Sequence, residues 1–300
     1  MNQTKTGIIT KGIGGFYYIR TGEQIYECKA RGIFRKAGMT PLVGDRVEIS
    51  QAPDNTGSIE RILPRKNSLI RPPLANIDRL FIVASAASPA INALTLDKLI
   101  AIAEHKGIEP VIIFNKIDLD DPSEYSQIYK NCGFLTAEVS CETTQGLEQI
   151  KTMFTEGINV LTGNSGVGKS SILNALFEEL RLETGAISDK LGRGRHTTRH
   201  VELFEVQPGK YIADTPGFSS LDIEKTEVIL KEDLPFCFRE FAPYLGRCKF
   251  STCSHTCEQG CEVLEALDKC IVSRSRHQSY VTMYNAAKNI KEWEMRAKGV

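Results

Sequence analysis

The nine residues GNSGVGKSS, 163–171, constrain the fold more than any other stretch of the chain. They follow a short apolar run, INVLT, and open an amphipathic one, SSILNALFEEL. A turn satisfying G-x-x-x-x-G-K-[ST] between a strand and a helix is a phosphate cradle, whereas a chance glycine-rich turn lacks those flanking elements. Its glycines let backbone N–H groups curl around a β-phosphate at a helix N-terminus. Gly163, Asn164, Ser165, Gly166, Val167, Gly168, Lys169, Ser170 and Ser171 are therefore expected to line a nucleotide. Within this set Lys169 is suited to neutralise β- and γ-phosphate oxygens, and Ser170 to ligate Mg²⁺.

A cradle of this kind needs a sheet behind it. From Arg79 to Gly217 apolar runs, among them LFIVASA, PVIIFNKID, TAEVSCE, VELFEV and YIADTPG, alternate with helical stretches such as LDKLIAIAEHKG. Continuous apolar strands separated by helices predict a parallel sheet covered on both faces. DTPG, 214–217, ends one such strand about fifty residues after the cradle. Asp214 is expected to reach Mg²⁺ through water, and the Gly217 amide to sense the γ-phosphate. Between the two lies GRGRHTTRH, a segment of low helical propensity suited to closing over Mg²⁺ through Thr197 or Thr198. Phe218 stands where Ras-like enzymes carry the glutamine that orients attacking water. Another polar group must hold that water, and His196 is the nearest candidate.

NKID, 115–118, follows the strand PVIIF and predicts a guanine reader. Asp118 can accept hydrogen bonds from the guanine N1–H and exocyclic amine, while Asn115 braces the loops and the Lys116 stem packs over the ring beside Ile117. Adenine offers no such paired donors, so the set favours GTP over ATP and disfavours an ATP-driven remodeller. VSCETTQGL places Ser140 and Cys141 in a second guanine loop with a backbone N–H aimed at O6, a loose match with Glu142 in the usual lysine place. Both guanine elements precede both phosphate elements. The order predicts a circularly permuted domain, its spatial site kept, its old termini joined and new ones cut after DTPG. The phosphate-sensing loop then leads directly into the C-terminal part of the chain, so nucleotide state can reposition that part.

The flanks have other patterns. Residues 7–62 hold five short β-rich runs between turn signals, which predicts a small barrel of the OB type. Phe16, Tyr17, Tyr18, Arg31, Arg35 and Lys36 could stack on bases and meet phosphates, although alternate aromatics also fill barrels. LPRKNSLIRPP reads as a boundary, and the chain from about residue 221 as helical on both sides of a cysteine cluster. In CKFSTCSHTCEQGC, 248–261, five possible ligands crowd together, and in a reducing compartment that density predicts metal rather than disulfides. Zinc suits a closed set of thiolates and imidazole. Residues 1–70 carry 11 Lys/Arg against 6 Asp/Glu and residues 236–300 carry 10 against 7, leaving the middle acidic although net charge is zero. Basic ends suggest contact with a polyanion, with Arg247, Lys249, Arg274, Arg276 and His277 as RNA contacts beside the metal or as an ordinary solvated face. The opening MNQTKTGIIT lacks the pattern of a secretory leader and no run is apolar enough to span a bilayer, so a cytoplasmic address without a membrane is expected.

Together the barrel containing VGDRVE, the permuted NKIDL, GNSGVGKSSILN, GRGRHTTRH and DTPGF, and the cysteine cluster resemble the small ribosomal subunit biogenesis GTPase A family over essentially the whole chain. The resemblance implies a multidomain protein: an OB-type, RNA-binding β-barrel over 1–70, a permuted α/β P-loop GTPase domain over 71–222, and a helical zinc-binding domain over 223–300. It also implies a monomer that contacts small-subunit rRNA and hydrolyses GTP to GDP and phosphate, stimulated by that subunit late in its maturation. His196 becomes the hydrolytic histidine, and the zinc ligands fall on Cys248, Cys253, His255 and Cys261, leaving out Cys257. The alternative is a GTP-gated RNA-binding protein in which hydrolysis is incidental.

Overall fold

The computed structural model describes residues 4–36, 38–52, 56–177, 201–214 and 220–290. The five expected β-runs form β1 (Thr4–Ile13), β2 (Phe16–Thr21), β3 (Gln24–Ala30), β4 (Arg46–Gln51) and β5 (Thr56–Ile62), with a short helix α1 (Gly32–Lys36) between β3 and β4. They pair in the order β1-β2-β3-β5-β4, and β4 returns to β1, closing a barrel. Alternation supplies its filling: Ile9, Ile19, Val47, Ile49 and Ile59 are fully buried. At Lys11 the free half of β1 pairs antiparallel with Glu202 of a later strand, so barrel and central sheet are continuous. The ion pairs Lys11–Glu202 at 2.7 Å and Arg20–Glu205 at 3.0 Å reinforce that seam.

The boundary segment is packed rather than a loose tether. Strands β6 (Ser68–Leu69) and β7 (Leu74–Ala75) form a hairpin whose Leu69 and Leu74 are buried. The Asn67 side chain bonds both polar groups of the Ile77 backbone, at 2.9 and 2.8 Å. Arg65 reaches back to the buried Asp45 carboxylate of the barrel at 2.6 and 2.7 Å.

The central domain consists of β8 (Ile77–Ser85), α2 (Ala93–His105), β9 (Glu109–Asn115), α3 (Ser123–Asn131), β10 (Leu135–Val139), α4 (Leu147–Met153), β11 (Gly157–Thr162), α5 (Lys169–Leu176), β12 (Glu202–Gln207) and β13 (Lys210–Asp214). Their spatial order is β10-β9-β8-β11-β13-β12, parallel except for β12. The phosphate strand β11 thus lies between β8 and β13, the first and last strands of the unit, which is the signature of the permutation. The expected two-sided covering is visible in the pleat. Ile82, Ala84, Ile112 and Phe114 share a cluster with α2, whereas Phe81, Val83, Val111 and Ile113 share another with α4 and α5. Both sets are apolar because both faces are covered, so Leu80–Ala84 of β8 and Val111–Phe114 of β9 read as unbroken apolar runs.

Beyond it come α6 (Ser220–Thr226), single 3₁₀ turns over Leu234–Cys237 and Arg239–Phe241, α7 (Glu262–Asp268) and α8 (Arg274–Ala287). Between α6 and the cysteines the helix is thus only two short turns. Leu234, Phe238, Phe241 and Tyr280 belong to the same apolar cluster as Leu99 and Ile102 of α2. The Phe238, Phe241 and Tyr280 rings lie with centroids 4.9–5.3 Å apart. Among the described residues, no helix is long and apolar enough to cross a membrane.

Candidate nucleotide site and metal centre

The strand order brings the carboxyl ends of β8, β9, β10 and β11 to one edge of the sheet, where open α/β folds bind ligands. There the cradle turns away from β11. Gly163, Gly166 and Gly168 take φ of +143°, +80° and +96°. A Cβ on Gly163 would lie 2.3 Å from the Val83 carbonyl oxygen, and one on Gly168 2.2 Å from the Asn115 amide nitrogen, so both positions exclude a side chain. The Lys169 ammonium lies over the loop, donating to the Gly163 and Asn164 carbonyls at 2.8 and 2.9 Å. Burial pushes that amine below its ordinary pKa. Ser165 is exposed, Ser170 and Ser171 are half-buried in the first turn of α5, and Val167 packs inward.

Asn115 holds the site together. Its side chain is 2% exposed and donates to the Val167 carbonyl at 2.9 Å. Its oxygen receives the Cys141 thiol at 3.7 Å. One residue therefore touches the phosphate cradle and both predicted guanine loops. Lys116 takes φ +65° and donates to the Ser88 carbonyl at 2.5 Å, while the Ile117 N–H bonds the Val139 carbonyl at 3.2 Å. Asp118 is exposed. It is near enough to Cys141 to add to the burial that raises that thiol's pKa, against the lowering effect of Asn115. Ser140 is buried, and its hydroxyl accepts from the Thr143 N–H at 3.1 Å. The backbone of Asp214 ends β13 opposite Glu202. His196, Thr197, Thr198, Gly217 and Phe218 lie outside the described residues.

The cysteine cluster forms a second site. The ligand atoms of Cys248, Cys253, His255 and Cys261 all lie within 4.8 Å of one another. His255 Nδ1 is 3.5 Å from the Cys248 sulfur and 3.4 Å from the Cys261 sulfur, and the two sulfurs are 3.9 Å apart. Four donors about 2.0–2.3 Å from one tetrahedral ion would show nearly these separations, so the group can hold a metal ion. Burial lowers the His255 pKa, which keeps the imidazole neutral and able to ligate. Cys257 is exposed and outside the group. Glu258, which nothing in its local pattern marks, organises the loop. It accepts from the Ser254, Thr256 and Cys257 N–H groups at 2.7, 3.1 and 3.2 Å, and against the upward push of burial the Ser254 hydroxyl and the Ser254 and Cys257 N–H groups hold its pKa at about 2.

Two expected RNA contacts are corrected. Arg276 is 1% exposed and His277 is buried. Arg276 is spent on Asp97 and Glu240, and His277 Nε2 bonds the His255 carbonyl at 2.8 Å. On the barrel, Lys29 lies over the Phe16 ring, Arg31 pairs with Glu60, and Tyr17 and Tyr18 are half-buried.

The RsgA GTPase family model matches residues 62–224, and that of the RsgA N-terminal domain matches residues 6–59. The Small ribosomal subunit biogenesis GTPase RsgA of Caldanaerobacter subterraneus subsp. tengcongensis is 44% identical over 293 residues, covering 97% of each chain. Its namesake from Ruminiclostridium cellulolyticum is also 44% identical, over 96% of this chain and 95% of the relative. Among solved structures, YjeQ from Thermotoga maritima aligns with a TM-score of 0.81 at 30% identity, over 96% of this chain and all of that one. YloQ, a circularly permuted GTPase, aligns with a TM-score of 0.79 at 34% identity over 96% of both chains. Strand order, glycine-walled cradle and whole-length likeness agree, and the chain belongs to the RsgA GTPase family.

Proposed function

We propose that the chain is a GTP hydrolase of small-ribosomal-subunit biogenesis, docking on that subunit's rRNA and leaving after hydrolysis. The observation that carries this reading is the convergence of Val167 and Cys141 on Asn115, because it makes one pocket of the phosphate cradle and the guanine loops.

In that pocket the backbone of residues 163–171 cradles the phosphates at the start of α5, and Lys169 moves from the loop carbonyls to the β- and γ-phosphate oxygens. Asp118 accepts from the guanine base, with Lys116 and Ile117 beside the ring and Ser140 and Cys141 shaping the O6 side. Ser170, Asp214 and one of Thr197 and Thr198 would hold Mg²⁺, which supplies neutralisation of the charge that develops on the phosphates. The Gly217 amide reports the γ-phosphate. His196, brought to the site on the subunit, accepts a hydrogen bond from the attacking water and holds it in line. The C-terminal group holds one structural zinc ion through Cys248, Cys253, His255 and Cys261, stiffening the surface that carries Arg247, Lys249 and Arg274. The free protein is a monomer. Nucleotide competition and GTP turnover with and without purified small subunits test the reading: ATP competing as well as GTP, or a rate indifferent to subunits, contradicts it.

A further inference from the structure

Helix α2 meets the nucleotide site at its start and the C-terminal segment along its side. The loop feeding it receives Lys116 on the Ser88 carbonyl at 2.5 Å and donates from the Ala86 N–H to the Asn115 carbonyl at 2.8 Å. Pro89 lies against the space beside Gly166. Thr95, Leu96 and Leu99 share a small cavity with Gly163, Asn164 and Val167. Asp97, fully buried on the same helix, accepts from Arg276 Nη1 at 2.7 Å and from the Tyr129 hydroxyl at 3.0 Å.

Arg276 belongs to α8, and the rest of its guanidinium is held by Glu240, with Nε at 2.7 Å and Nη2 at 3.2 Å. The neighbouring positions of α8 face the metal loop. His277 Nε2 bonds the His255 carbonyl at 2.8 Å, and the Tyr280 hydroxyl donates to the Ser254 carbonyl at 2.7 Å. One stretch of α8 thus holds the loop of the three-cysteine, one-histidine group on one side and α2 on the other. A buried guanidinium leaves a buried carboxylate only at high cost, because neither finds water in exchange. If the metal loop loosens and α8 shifts, Asp97 must follow or lose its cation and keep the Tyr129 hydroxyl alone, and in following it would carry the 86–92 loop beneath Lys116 and Gly166.

We propose that Arg276 is a positioning residue for the nucleotide site: through Asp97 it couples order in the metal loop to nucleotide affinity, so that a filled metal site tightens GDP and GTP binding. The proposal rests on the nucleotide reading above. By reciprocity, bound nucleotide must tighten metal binding by the same factor, read as a higher chelator concentration needed to strip the ion at equilibrium.

The test is the affinity for a fluorescent GDP analogue of the full chain, with and without its metal, for wild type, Asp97→Asn, Arg276→Met and Arg239→Met. Removing metal from wild type should weaken GDP by about tenfold. The metal-loaded Asp97→Asn and Arg276→Met proteins, still carrying one ion, should already show that loss and lose no more on stripping. Arg239 pairs with Glu104 and Glu109 near the far end of α2, at 2.7 and 2.8 Å. Arg239→Met should therefore lower thermal stability yet bind GDP within about twofold of wild type, which separates positioning from general weakening. Asp97→Asn keeps size and one acceptor, and carries the test if Arg276→Met does not fold. Equal wild-type affinity with and without metal, or wild-type affinity in metal-loaded Asp97→Asn, overturns the coupling. Failure of wild type to bind GDP at all overturns instead the nucleotide reading beneath it.

Discussion

The Asn115 side chain donates to the Val167 carbonyl at 2.9 Å across 52 residues of sequence. This bond joins the loop after β9 to the loop after β11, which makes the site indifferent to the order in which the chain supplies its halves. Asn115→Ala leaves a buried carbonyl unpaired at a cost of about 1–3 kcal/mol. GTP and GDP affinity should fall about tenfold or more with circular dichroism unchanged. Gly168→Ala should produce the same defect from the other side, since its methyl would meet the Asn115 amide at 2.2 Å. Normal nucleotide affinity in both variants contradicts the bracing role.

Asp118→Asn replaces an acceptor with an amide, reversing one hydrogen bond to the base. Preference should move from guanine toward xanthine nucleotides in a competition assay. Retained GTP preference removes Asp118 from the base site.

Lys169 is held over the cradle by two carbonyls at 2.8 and 2.9 Å, with a pKa lowered by burial. Lys169→Ala should abolish GTP turnover and leave the thermal unfolding of barrel and metal domain as in wild type. A variant that fails to fold would make this lysine structural.

What was legible in the chain was local. The alternation of Ile9, Ile19, Val47 and Ile49 marks barrel strands because one face of each is buried. The unbroken apolar runs of β8 and β9 mark strands buried on both faces. Cradle, NKID and cysteine cluster could be read because each packs its chemistry into a few consecutive residues. Long-range partners could not. Arg276 sits in the run RSRH, which reads as RNA contacts or as a solvated face, and its partner Asp97 is 179 residues away. The Ser88 carbonyl that receives Lys116 is a backbone group, and no residue type announces it. The boundary hairpin escaped for the same reason, since the Asn67 bonds to the Ile77 backbone depend on tertiary placement.

Removing the metal should release one ion per chain and loosen the chain from about residue 236 onward, detected as faster amide exchange there, while the central domain still binds GTP, about tenfold more weakly through the Arg276–Asp97 coupling. Cys253→Ser should lose the ion. Cys257→Ser should keep it, because Cys257 is exposed and outside the ligand group. Loss of metal from Cys257→Ser contradicts the ligand set.

In the proposed function, the permuted site hydrolyses GTP when the small subunit brings His196 to the attacking water. Single-turnover GTP hydrolysis, with and without saturating small ribosomal subunits, tests it most directly for wild type and His196→Ala. Wild type should be slow alone and strongly accelerated on subunits, with His196→Ala binding both partners normally and losing about 10² or more of the stimulated rate. A wild-type rate unchanged by subunits, or a His196→Ala protein retaining the full stimulated rate, would contradict it.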